Sequence, residues 1–159
     1  IISTNSAAVD RFDRYNFKHA FYALDTMLAA NSFVAGGILE RFPKLKVAIM
    51  EAGAGWVPWL LDRLNEHFEL LPDQMPWQRR SPEQWIKSDN CFFAIEPEER
   101  TIPFVAQMIG EERLLYASDY SHWDCMCPDS VKAIFERSDI SDKLKKKILC
   151  DNAAQLFNL

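Results

Sequence analysis

The sequence predicts an α/β fold built on a parallel sheet, and three observations predict it. Short apolar runs recur at Leu45–Met50, Cys91–Ile95 and Leu114–Ala117, with the length and the β-branched or aromatic content of buried strands. Longer segments with apolar residues at helical spacing separate them, giving the alternation of βα units. Each run stops at an acidic residue, Glu51, Glu96 or Asp119. Right-handed crossovers bring the three strand ends to one sheet edge, where parallel α/β folds collect their chemistry.

Taken in order, residues 1–16 show no clear periodicity. Phe17, Phe21, Leu24, Leu28 and Val34 predict a helix over 17–35 that runs toward Gly36-Gly37. Ile38–Phe42 is a helical turn stopped by Pro43. The strand Leu45–Met50 leads into the glycine turn Glu51-Ala52-Gly53-Ala54-Gly55. Helical spacing resumes from Trp56 to Leu70, with Pro58 tolerated in the first turn. After a loop over 72–82, Ser81, Pro82 and Gln84 spell a capping box that opens a short helix ending near Ser88. Cys91–Ile95 is the second strand. Glu98–Ile109 reads as a helix interrupted or delayed by Pro103 and stopped by Gly110. Beyond the third strand, helices are predicted over 129–137, 141–149 and 151–157, the first two with Asp129 and Ser141 as caps.

Composition narrows the class. At 159 residues, a single domain over 1–159 is the natural expectation. A net charge of −5 argues against a nucleic-acid surface, and the basic run Lys143–Lys147 reads as a solvated helix face. No apolar stretch approaches the ~20 residues of a membrane span. Cys91, Cys125, Cys127 and Cys150 are scattered, and Cys125-Met126-Cys127 lacks zinc-knuckle spacing. Free thiols in a reducing cytoplasm are the expected reading. Ile1-Ile2-Ser3-Thr4 carries neither an initiator Met nor a targeting pattern, which reads as a processed or excised piece.

The stretch Leu114–Asp124 concentrates ionisable groups. Asp119, His122 and Asp124 fall within a six-residue span just past the third strand, as an active-site rim or as a polar loop. Glu51 is an acid/base candidate or a carboxylate that holds the glycine turn. Trp56, Trp59, Trp77 and Trp123 line an apolar pocket or simply pack. Arg79 and Arg80 bind acidic groups or lie idle on a loop. His67 reads as a surface residue, and His19 opens the first helix, either reaching the rim or lying away from it.

Several stretches, in order, resemble the amidohydrolase-related family, metal-dependent hydrolases and decarboxylases that include the aminocarboxymuconate-semialdehyde and resorcylate decarboxylases. They are Gly37–Val47, Glu51–Pro58, Arg63-Leu64, Leu114–Asp124 and Ile148–Phe157. The resemblance implies the C-terminal portion of a (β/α)8 TIM-like barrel, about three βα units plus C-terminal helices, since a whole barrel needs about 250 residues. It implies a divalent metal, with zinc expected, and carries the family's last ligand onto Asp119, which in hydrolytic members also accepts a proton from bound water. The family's His-x-His is absent here, so this chain alone lacks most of the expected ligands.

The leading expectation is therefore a metal-dependent hydrolase of a small organic acid, ester, lactone or amide. Asp119 would hold the metal, and Asp119 and Glu51 would be catalytic, with His122, Trp56 and Trp123 bordering the substrate. The alternatives are a metal-dependent decarboxylase of an unsaturated or aromatic acid, or a non-catalytic remnant. Small-molecule ligands and a homo-oligomer are expected, the latter because an open barrel leaves strand edges uncovered. A three-stranded binding module with Gly53-Ala54-Gly55 as a phosphate cradle is a third reading.

Overall fold

The computed structural model describes residues 21–159, so Phe17–Ala20 and His19 lie outside the described residues. Three strands, β1 (Val47–Ile49), β2 (Cys91–Ile95) and β3 (Leu114–Tyr116), form one parallel sheet in the order β1-β2-β3. Val47 is paired with Cys91 and Ile49 with Phe93; on the other side Phe93 is paired with Leu114 and Ile95 with Tyr116. Helices connect the parallel strands, as they must, because a hairpin cannot. This mixed α/β architecture, with its small parallel sheet, is consistent with part of a TIM barrel.

Eight helices complete the described chain: α1 (Ala23–Val34), α2 (Ile38–Arg41), α3 (Val57–Leu70), α4 (Pro82–Ile86), α5 (Ile102–Ile109), α6 (Ser130–Phe135), α7 (Asp142–Lys146) and α8 (Asn152–Phe157). The capping box forms as expected, with the Gln84 N–H donating to Ser81 Oγ at 3.2 Å and the Ser81 N–H to Gln84 Oε1 at 2.9 Å. Ser141 caps α7 in the same way, accepting from the Leu144 N–H at 3.2 Å. Asp129 makes no side-chain cap bond to α6. Both serines are extended, whereas Asp129 is already helical (φ −89°, ψ −3°), which turns its side chain away from the N–H groups it would cap. Pro103 sits in the first turn of α5, so this helix starts at Ile102 rather than near Glu98. The last two expected helices join through a widened turn over Lys147–Asp151.

All five residues of β2 are buried, because both faces of the sheet are covered. Val47, Ile49, Phe93, Ile95 and Leu114 belong to the large core shared with α3, α4 and α5, whereas Ala48, Phe92 and Leu115 meet Ala153 and Leu156 of α8. Polar contacts tie the opposite sheet edge. Asn152 donates to the carbonyls of Glu111 (2.8 Å) and Leu114 (2.7 Å), and Lys46 Nζ reaches the Gln155 carbonyl at 2.6 Å. Arg113 is buried, donating to the Ser88 carbonyl and to Asp89 at 2.9 Å, with its guanidinium 5.0 Å from the Phe92 ring. These contacts close the N-terminal edge and leave the C-terminal edge free.

Phe93 packs at the centre of the sheet, so Phe93→Ala is expected to cost about 3–5 kcal/mol, while Ser81→Ala costs about 1 kcal/mol. Urea unfolding of the two variants measures both; a Phe93→Ala loss as small as that of Ser81→Ala would contradict this packing.

Candidate active site

The three strand ends open into a cleft of about 730 Å³ on the C-terminal edge. Its carboxylates are Glu51 after β1, Glu96, Glu98 and Glu99 after β2, and Asp119 and Asp124 after β3. Among the described residues that line it there is no Lys or Arg, and His122 is the one basic side chain. Such a cleft concentrates negative potential in low-dielectric walls and attracts cations.

The loop after β3 delivers the densest group. Asp119 takes a left-handed backbone (φ 49°), and its carbonyl accepts the His122 N–H at 2.8 Å. That turn folds His122 back, so that its Nδ1 lies 3.1 Å from Asp119 Oδ2. With Asp124, these residues offer three ligand atoms within 4.8 Å of one another. Two carboxylates and an imidazole form a donor set for borderline and hard divalent ions such as Mn²⁺ or Zn²⁺. The residues present therefore fit a divalent metal.

The loop after β1 is built differently. Glu51 also takes a left-handed backbone (φ 59°) and lines the cleft. A left-handed non-glycine residue costs roughly 1 kcal/mol, and such strain clusters at functional sites. Both non-glycine residues that take this conformation within the cleft are strand-end carboxylates. The carboxylate holding the glycine turn is Glu99, which accepts the Ala54 N–H at 3.0 Å and the Gly55 N–H. These N–H groups are thereby occupied by the chain's own anion, which removes the phosphate-cradle reading.

Trp56, expected to border the substrate, instead lies beneath this turn and does not line the cleft. Its indole N–H points to the carbonyls of Ala52 (3.1 Å) and Gly53 (2.9 Å), and its ring meets Phe93 edge-on at 6.0 Å. The helix it precedes turns its side chain inward. Trp123 does line the cleft, largely exposed at its mouth. Trp59, Trp77, Arg79 and Arg80 are not among the lining residues. Glu40 accepts the backbone N–H of Arg79 (3.0 Å) and of Arg80 (2.7 Å), and the Arg80 guanidinium stacks 4.6 Å from the Trp85 ring. His67 is exposed beside Arg63, and all four cysteines are free. No described helix is long and apolar enough to cross a membrane.

The sequence placed Glu96 at the acidic strand edge and Asp124 in the candidate rim without giving either a role, and it did not name Glu99. Glu96 carried a signal, its place at a strand end, and Asp124 its closeness to Asp119. Glu99 carried none, because its partners lie 44 and 45 positions away.

The chain belongs to the amidohydrolase family, whose model matches residues 6–159. It is 25% identical over 142 residues to the gamma-resorcylate decarboxylase of a Polaromonas species, covering 87% of this chain and 42% of that protein. It is also 25% identical over 138 residues to the 2-amino-3-carboxymuconate-6-semialdehyde decarboxylase of Dictyostelium discoideum, covering 85% of this chain and 37% of that one. The chain thus spans about two-fifths of the length of these curated relatives. Among solved structures, a 5-carboxyvanillate decarboxylase from Novosphingobium aromaticivorans, with bound manganese and 3-methoxy-4-hydroxy-5-nitrobenzoic acid, superposes with a TM-score of 0.72 at 25% identity. It covers 87% of this chain and 40% of that one.

Burial, and then the charges of Glu98, Asp119, Glu99 and Asp124, push the Glu96 carboxyl up to about 7 from an ordinary 4.5. The folded chain then holds a proton that the unfolded chain has released between those values. The stability from this proton is fully present below pH 4.5 and is lost as pH rises through about 7. In the metal-free chain, the Tm of Glu96→Gln relative to wild type is therefore expected to rise from pH 4.5 to 7. A flat difference across that window would contradict the burial and crowding of Glu96.

Proposed function

We propose that the chain is the metal-binding section of a metal-dependent decarboxylase acting on an aromatic or unsaturated acid. The observation that carries this reading is the convergence of Asp119, His122 and Asp124 ligand atoms within 4.8 Å at the strand edge. The decarboxylase names of the similar proteins favour this chemistry over the hydrolysis expected first.

Asp119 would hold the metal, with His122 and Asp124 in reach as further donors. When bound, a divalent metal supplies Lewis-acid polarisation of substrate oxygens and neutralises their charge. The manganese bound in the Novosphingobium relative supports a divalent ion rather than zinc in particular. With no Lys or Arg along the described lining, an acid entering this cleft meets six carboxylates, so charge neutralisation is a condition of binding. Trp123 offers an aromatic face at the mouth, against which a planar ring can stack.

In decarboxylation the bond between the carboxyl carbon and its neighbour breaks, CO₂ leaves, and the electron pair left on carbon takes a proton. Glu51 and Glu96 border the same cleft as Asp119, and we assign them to holding that proton near the reacting carbon. Closure of the cleft by the rest of the protein would exclude water from this step.

The test is CO₂ release by the whole protein from hydroxybenzoic acids after loading with Mn²⁺. Asp119→Ala is expected to weaken Mn²⁺ binding by about a hundredfold or more and to abolish release. Ester or lactone hydrolysis without CO₂ release would return the assignment to a hydrolase. Turnover that survives a chelator would overturn the metal-dependent reading.

A further inference from the structure

We infer that Glu99 is a positioning residue of this site, locking the Glu51 turn to the Glu96 strand end. The inference rests on the cleft being the active site proposed above. Four groups from two loops converge on one carboxylate. From the loop after β1, the Ala54 N–H lies 3.0 and 3.1 Å from its two oxygens, and the Gly55 N–H donates to Oε1. From its own loop, the Thr101 hydroxyl donates at 2.9 Å and the Glu96 N–H lies 3.4 Å away. These hydrogen bonds to one carboxylate tie the two loops together.

The turn is gripped from its other side as well. Trp56 Nε1 lies 2.9 Å from the Gly53 carbonyl and 3.1 Å from that of Ala52. The donors of the turn thus go to Glu99 and two of its acceptors to Trp56, leaving little freedom for Met50 and Glu51, the two residues between them and β1. Glycine is required where the carboxylate approaches. A Cβ on Gly55 would lie 2.7 Å from Thr101 Oγ1 and 2.9 Å from Glu99 Oε1, and Gly53 has φ +58° with a Cβ position 3.3 Å from both Glu99 oxygens. The glycine spacing is shaped around an internal anion rather than around a ligand.

Two measurements test this and separate it from the proposed reaction. Hydrogen exchange at the Ala54 and Gly55 amides is expected to speed up about tenfold or more in Glu99→Ala, with the Phe92–Ala94 amides unchanged. Unchanged exchange at Ala54 and Gly55 would overturn the clamp whether or not the protein has turnover. In the Mn²⁺-loaded whole protein, Glu99→Gln is expected to lower kcat roughly tenfold to a hundredfold, as misplacement does, with equal metal content. In a Glu51→Gln background the same change is expected to add less than about twofold. An equal loss in both backgrounds would overturn positioning through Glu51. Absence of wild-type turnover would sink the proposed reaction, leaving the exchange result to decide the clamp.

Discussion

Parallel pairing of β2 with both neighbours is the constraint on which the rest of this structure depends. Because β1 and β3 run in the same direction as β2, their C-terminal ends emerge on one edge, and the residues just past them meet. The registers of Val47 with Cys91 and Phe93 with Leu114 bring Glu51, Glu96 and Asp119 to the rim of one cleft. An antiparallel strand at the centre would send Glu96 to the far edge. Burial of all five β2 residues then makes the arrangement stiff, since no strand end can shift without uncovering Phe92 or Phe93.

Stiffness is needed because the cleft is electrostatically unfavourable. Six carboxylates face one volume with a single imidazole among them. The chain relieves this crowding in two visible ways. Glu96 holds its proton to about pH 7, and Glu99 spends its charge on the N–H groups of Ala54 and Gly55. Asp119, His122 and Asp124 are left to face the cleft as a donor set. A divalent cation there, as the proposed function requires, would offset the remaining charge.

Much of this was legible in local sequence. Three apolar runs ending in Glu51, Glu96 and Asp119 pointed to the sheet and its acidic edge, because a strand's composition and its terminal residue are both local. The Ser81 capping box was readable for the same reason, its partners being three residues apart. The ordered resemblance from Gly37 to Phe157 supplied the family, which the match over residues 6–159 bears out. Contacts made across the fold were not legible. Trp56 read as a pocket aromatic but turns beneath the glycine turn, since the direction of a side chain at a helix start is set by the core it joins. Asp129 has the right residue type for a cap but the wrong backbone conformation. Asp119 is common to both chemistries, so the sequence did not separate hydrolysis from decarboxylation, and the similar decarboxylases favour the second.

The proposed function requires a divalent metal on the loop that follows β3. Anomalous diffraction from crystals of the whole protein grown with Mn²⁺ tests it most directly. One anomalous peak is expected within coordination distance of an Asp119 carboxylate oxygen, on the cleft side of the strand edge. A cleft without such a peak, or manganese bound only at sites remote from Asp119, would contradict it.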